Sequence, residues 1–261
     1  MKKQHLLILV LLIVGVFAVN TSANAHNKSK QLLSSEQKIF FGDTKNMGLG
    51  VATSWVTVNK KMIPTNIGIS FNEDALNNLP VHEMQGEYTF NLPSIPNMPF
   101  THIVINWNPM GHEPPGIYDV PHFDFHFYLL TQKEREQITG VGEDELKMYK
   151  TPPANYIAKG YVDTHMGHPQ MGNHWVDMSS PEFHGNPFTS TFVYGFYDGR
   201  PAFYEPMITR AFLLTHTNLN KRFPTPLSHE VKGYYPHSYQ INYDERNHIY
   251  QIMLTEIKMS E

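Results

Sequence analysis

The chain has 261 residues, of which 13% are aromatic, and a formal net charge of −4 at pH 7. A balance of that sign gives no basis for holding nucleic acid or an anionic membrane surface. It contains no cysteine, which removes disulfides, thiolate metal sites and cysteine nucleophiles together, so any metal must be held by His, Asp and Glu.

Lys2 and Lys3 precede an apolar run from Leu6 to Val19, and Ala23-Asn24-Ala25 has the small-x-small form of a cleavage site. The run is short for a bilayer span. Residues 1–25 therefore read as a signal peptide, leaving a secreted or periplasmic chain with no stable membrane insertion once it is removed. No cysteine follows the cleavage site to carry a lipid. Residues 26–45 are polar and read as a flexible lead-in. Residues 46–261 are long enough for a single β-rich domain with a substantial core.

From Gly48 onward the pattern is of short strands rich in Val, Ile, Thr and aromatics, bounded by Asn, Pro or Gly. They fall at Gly50–Val58, Ile63–Phe71, Gly86–Leu92 and Thr101–Trp107. Glu73–Leu79 fits one or two helical turns capped by Asn72. Asn108–Pro121 is too rich in Pro and Gly for regular structure. Thr131 and Glu134 form a capping box for a helix through Ile138, and Gly142–Tyr149 is a second helix. Ile157–Asp163 reads as a strand and Thr164–Pro187 as a loop. Thr189–Tyr197 and Pro201–Ile208 flank Asp198-Gly199, a tight-hairpin signal, with Arg210–Thr217 continuing the second strand. A last hairpin joins Tyr235–Tyr243 to His248–Ile257. The expected fold is mainly β, an antiparallel sandwich or barrel with two short helices.

The most informative stretch is Pro121-His122-Phe123-Asp124-Phe125-His126-Phe127-Tyr128. It alternates with period two, which is strand geometry. Phe123, Phe125 and Phe127 share one face and call for a core, while His122, Asp124 and His126 share the other. Same-face residues two apart on a strand are about 6.6 Å apart, and those four apart about 13 Å. One ion is thus within reach of His122 with Asp124, or of Asp124 with His126, but of both His only where the strand bends. Zinc takes three protein ligands in a catalytic site and four in a structural one, so other segments must contribute. His174 follows Gly172, which permits a tight backbone, and Glu205 is a lone carboxylate in an aromatic strand. The metal set is therefore His122, Asp124, His126, His174 and Glu205, with His112 in the Pro-rich loop nearby, for zinc or another divalent ion. In an enzyme, Asp124 or Glu205 left off the metal would be the general base for metal-assisted hydrolysis or hydration.

Two other readings use the same residues. They form a metal-free buried polar network, or, beside Trp107, Tyr118, Trp175 and Tyr204, they bind a sugar or other small polar ligand in a non-catalytic envelope protein. Nucleophilic hydrolysis has no G-x-S-x-G to support it. The 13 methionines are scattered and do not form a copper-binding array.

The runs Gly111–Tyr118, Pro121–Tyr128, Met171-Gly172-Asn173-His174-Trp175-Val176-Asp177 and Phe203-Tyr204-Glu205-Pro206-Met207-Ile208-Thr209 together resemble an exported bacterial domain family of unknown function, the TTHB type. Its Thermus member forms a ring-shaped oligomer. The resemblance covers roughly residues 45 to 215. It implies a β-rich fold and a homo-oligomer, and it implies no activity. The aromatic strand is also similar in texture to the metal strands of α-type carbonic anhydrases and cupins. Both place His where this chain has Asp124, and the nearest later carboxylate, Glu134, falls in the expected helix. Those two analogies imply only a metal held on a β-wall.

Overall fold

The computed structural model describes residues 37–81 and 86–260. The expected signal peptide and most of the expected lead-in lie outside them. Strands are numbered in chain order. One sheet has six strands in the order β1 (Lys38–Met47), β2 (Gly50–Val58), β3 (Pro64–Asn72), β14 (Ile249–Thr255), β13 (Ser238–Asp244) and β11 (Leu219–Arg222). The other has seven, in the order β4 (Glu87–Asn91), β5 (His102–Asn108), β6 (His122–Tyr128), β10 (Arg200–Thr209), β9 (Ser190–Tyr197), β8 (Gly172–Asp177) and β7 (Tyr161–His168). Every neighbouring pair is antiparallel. A separate ribbon joins β12 (Gly233–Tyr235) to β15 (Lys258–Ser260). The two large sheets form a sandwich, and neither closes into a barrel.

The period-two pattern of β6 decides which way it faces. Phe123, Phe125 and Phe127 enter the core between the sheets, where the Phe125 ring lies 6.1 Å from Phe71 on β3 and Phe71 lies 5.3 Å from Tyr250 on β14. Burying each Phe contributes roughly 1.5–3 kcal/mol. His122, Asp124, His126 and Tyr128 therefore face outward, yet all seven residues of β6 are buried. The outer face is covered as well. The loop between β5 and β6 and the segment around Phe188 pack over one part of it, around Tyr118, Val176, Val193 and Met207. Leu130, Ile138 and Met148, from the region of helices α1 (Gln132–Glu136) and α2 (Glu143–Met148), cover another, around Val104, Tyr128 and Phe203. Thr131 and Glu134 make the expected reciprocal capping box at α1. No helix among the described residues is long and apolar enough to cross a membrane.

Several elements differ from the sequence expectation. Residues 38–45 are already in β1, an edge strand whose residues are mostly exposed or half-buried, so no apolar alternation marks it. Thr164–Pro187 is largely a hairpin of β7 and β8. Its ladder slips between Asp163 and Gly167, and His165 adopts a positive φ there, which breaks the expected period. Arg210–Leu213 is a third short helix, α3, instead of a strand, because the Thr209 hydroxyl accepts the Phe212 N–H and caps it. Glu73–Leu76 is a single 3-10 turn. The Asn72 side chain does not cap it but accepts the Val51 N–H at 2.9 Å.

Candidate metal centre

Two central strands, β6 and β10, with β8 and one loop bring the six expected residues to the outer face of the seven-stranded sheet. They assemble as two groups of three, not as one. His112, His122 and Asp124 form the first, and His126, His174 and Glu205 the second. Within each group one ligand atom per residue lies within 4.8 Å of the others. The strand thus divides between its neighbours: His122 and Asp124 share a group, whereas Asp124 with His126 and His122 with His126 do not.

Strand register explains the second group. The ladder pairs Tyr204 with Phe127 and Met207 with Asp124, which sets Glu205 across from His126. His174 on β8 pairs with Gly195 on β9, and Gly195 pairs with Phe203 on β10. A side chain on Gly195 would overlap the Phe203 ring, and that ring packs 4.7 Å from the His126 ring and 5.1 Å from the His174 ring. The missing side chain lets His174 reach Glu205 over the intervening strand. His126 Nε2 is 3.4 Å from Glu205 Oε1, and His174 Nε2 is 3.8 Å from Glu205 Oε2.

In the first group, His122 Nε2 is 3.1 Å from Asp124 Oδ1, and His112 Nε2 is 3.6 Å from Asp124 Oδ2. Asn108, opposite His122 on β5, donates its side-chain amide to Asp124 Oδ2 at 2.6 Å and to His122 Nε2 at 3.2 Å.

Three of the four imidazoles are pinned in the same way. His112 Nδ1 donates to the Glu113 carbonyl at 2.7 Å, His122 Nδ1 to Val120 at 2.7 Å and His174 Nδ1 to Met166 at 3.0 Å. A neutral ring whose Nδ1 carries the proton has a lone pair on Nε2, and each of these Nε2 atoms faces a carboxylate oxygen. With the rings neutral and the carboxyls ionised, two acceptors would face each other, a gap that either a proton or a cation can bridge. Outer-sphere donation from Nδ1 to a carbonyl is also how proteins orient metal-binding histidines. Asp124 Oδ1, Glu205 Oε2 and both ring nitrogens of His126 are buried without a hydrogen-bond partner in the protein, which is costly unless a water, a proton shared with a neighbour or an ion satisfies them.

Burial sets the electrostatics of the second group. It pushes His126 well below the usual imidazole range, and with His168 close by it holds His174 at about 4. Burial and the Asp124 charge raise Glu205 well above the carboxylate range. In the first group burial opposes ionisation of Asp124, but His122 and His112 outweigh it and hold the carboxyl well below its ordinary value. Burial likewise opposes the His112 imidazolium, and Asp124 raises it to about 9 nonetheless.

Both groups border a cavity of about 200 Å³ whose wall includes Asn106, Asn108, His112, Asp124, His168 and His174. No Lys or Arg lines it. Tyr118 is part of this wall, but Trp107, Trp175 and Tyr204 belong to the core between the sheets, so three of the four aromatics considered for ligand stacking face away. Sequence reasoning did not single out Asn108, Glu113, His168 or Gly195. Asn108 had a signal: with Asn106 it puts amides at alternate positions of an otherwise apolar strand. Glu113 and His168 meet across the pocket at 3.5 Å, a contact between loop ends that no local pattern encodes.

Fold and site define an antiparallel β-sandwich with a His/carboxylate pocket on the covered outer face of one sheet. Residues 64–107 match the family model TTHB210-like, described as "Hypothetical protein TTHB210". This is the TTHB-type family, of unknown function, that the motifs resemble. The match runs from β3 through β5 and ends before all six candidate ligands. No curated protein and no solved structure matches the chain.

Proposed function

We propose that the protein is an exported metalloprotein in which His126, His174 and Glu205 hold one divalent ion, zinc first, at the side of the pocket. The reaction that suits it is hydrolysis or hydration of a small polar substrate. An ion there would supply a bound water of lowered pKa. Asp124, on the pocket wall and outside this ligand set, would be the nearby carboxylate to orient it and accept its proton, as a weak base because, despite its burial, His122 and His112 hold its pKa low. Glu205, between two imidazoles, serves as ligand and not as base. Ligand atoms 2.0–2.2 Å from a tetrahedral ion lie about 3.3–3.6 Å apart, and one ligand atom from each of the three residues already lies within 4.8 Å of the others, so binding would draw them together by roughly an ångström. The observation that carries the reading is the set of buried, unpartnered atoms on His126 and Glu205. Export rests on the pattern of residues 1–25.

The test is elemental analysis of protein purified without a His tag or added metal, beside Glu205→Gln. A bound divalent ion that disappears in Glu205→Gln is the expected result. No ion and no uptake on titration overturns it. That outcome favours a metal-free polar network around a protonated Glu205, for which the raised Glu205 pKa is the specific support, in a protein that binds a small polar ligand or assembles without catalysis.

A further inference from the structure

We propose that His112, His122 and Asp124 form a second divalent-cation site on the same pocket wall, so that the chain holds two ions. The inference rests on the reading of the first site as a metal centre and goes beyond it in stoichiometry and substrate class. The two groups share one design, a buried carboxylate that turns one oxygen to each of two imidazoles. In this group one ligand atom from each residue lies within 4.8 Å of the others, and the nearest imidazole–carboxylate contacts are 3.1 and 3.6 Å, each to a different oxygen. His112 and His122 are each fixed through Nδ1 to a backbone carbonyl, so both turn Nε2 toward the Asp124 carboxylate, one to each oxygen. Asp124 is 5% exposed, and its Oδ1 has no hydrogen-bond partner in the protein despite lying 3.1 Å from His122.

The arrangement is asymmetric in a useful way. His126 and Glu205 are fully enclosed, whereas His112 keeps 31% of its side chain exposed and sits on a loop, so this ion has a direct way in. Asn108 donates to Asp124 Oδ2 and to His122 Nε2; an ion on His122 Nε2 and Asp124 Oδ1 would displace the second bond and keep the first as an outer partner. With this slot filled, Asp124 would be a ligand, and lowering the pKa of a bound water would fall to the ions in place of a free carboxylate. The substrate class follows from the wall. It carries no Lys or Arg, so in the two-ion form the ions would be its cationic partners for an anionic group, beside the neutral donors Asn106, Asn108 and Tyr118. Two cations on one side of a small cavity suit a phosphoryl ester of low molecular weight.

The experiment is a titration of the chelator-treated full chain with Co²⁺, read by its visible absorption, and with Zn²⁺, read by elemental analysis after gel filtration. Wild type, His112→Ala and Glu205→Gln are compared. Two ions per chain in wild type and one in each variant is the expected result. One ion in wild type that persists in His112→Ala and vanishes in Glu205→Gln overturns the second site and leaves the first standing. One ion that vanishes in His112→Ala and persists in Glu205→Gln overturns the two-ion centre and the proposed first site, because the metal is then in the outer slot alone. No uptake overturns both. Should either variant fail to fold by circular dichroism, the wild-type Co²⁺ endpoint still decides between one ion and two. Inorganic phosphate should bind the two-ion form at least tenfold more tightly than the metal-free form, and equal affinity removes the substrate class.

Discussion

Replacing Glu205 with Met should stabilise the metal-free protein and cripple the metalloprotein. Glu205 is 1% exposed, its Oε2 has no donor, and it lies close enough to Asp124 to feel that charge. An unsatisfied buried polar group costs about 1–3 kcal/mol. Met has a similar volume and no polar atom, and a swap of that kind costs less than about 1.5 kcal/mol in packing. The net expectation in chelator is a gain of about 1–2 kcal/mol, which for a domain this large raises Tm by roughly 2–8 °C. Zinc reverses the order. An ion at one hundred times its Kd adds about 2.7 kcal/mol to a protein that binds it only when folded, and Glu205→Met loses the share of that gain belonging to the His126–His174–Glu205 slot. Urea unfolding of both proteins in chelator and in zinc reads the four stabilities. A variant less stable than wild type in chelator by more than about 2 kcal/mol would refute the reasoning, since that is the signature of losing a partner from a satisfied network. So would an equal zinc-induced gain in the two proteins.

Three further outcomes follow from the same geometry. Gly195→Ala forces the Phe203 ring off the His126 and His174 rings; overpacking of this kind costs about 1–3 kcal/mol, and isothermal titration should show weaker zinc binding although no ligand has changed. Phe125→Ala removes a fully buried ring from the opposite face of β6. It should cost about 3–5 kcal/mol in urea unfolding with the metal count of the folded fraction unchanged, and loss of metal from folded protein would show that the two faces are not separable. Asp144 is held at about 2 because the Tyr197 hydroxyl and the Thr139 and Gly140 N–H donors outweigh its burial. A carboxyl lowered on folding contributes stability above its unfolded pKa, near 3.9, and loses it as pH falls through the folded value. Asp144→Asn should therefore flatten the loss of stability between about pH 4 and 2, and an unchanged acid limb counts against this anchoring of α2.

What was legible in the sequence is what period two can encode. The Phe face and the His/Asp face of β6 could be read directly, because a strand separates alternate residues whatever its neighbours do. The Asp198-Gly199 hairpin and the Thr131–Glu134 capping box were equally local. Pairing between distant strands was not. Nothing in the order of residues says that β6 lies between β5 and β10, and that placement is what splits one string of His122, Asp124 and His126 into two separate groups. The β7–β8 hairpin was hidden by its own irregularity: a slipped register and a positive φ at His165 remove the alternation that would have marked it. Trp107, Trp175 and Tyr204 were ambiguous for the opposite reason, since an aromatic on a strand looks the same from sequence whether it faces a ligand or a core.

One strand therefore serves two purposes that usually compete. The face of β6 that packs against Phe71 fixes the backbone to within what a close-packed core allows, and the opposite face inherits that precision while adding only Tyr128 to the apolar packing. Four of the six candidate ligands, His122, Asp124, His126 and Glu205, stand on the two adjacent central strands β6 and β10, the stiffest part of the sandwich. The remaining two come from the periphery, His112 from the loop before β6 and His174 from β8, and each is tied to its place by a single Nδ1–H donated to a backbone carbonyl. Rigid strands supply the carboxylates and the enclosed imidazoles, while pinned peripheral imidazoles complete each group and border the pocket. A site built this way can exchange its ions through the His112 side without loosening the sheet that positions them, and this is why the two groups should differ in how quickly they give up metal to a chelator, the outer before the inner.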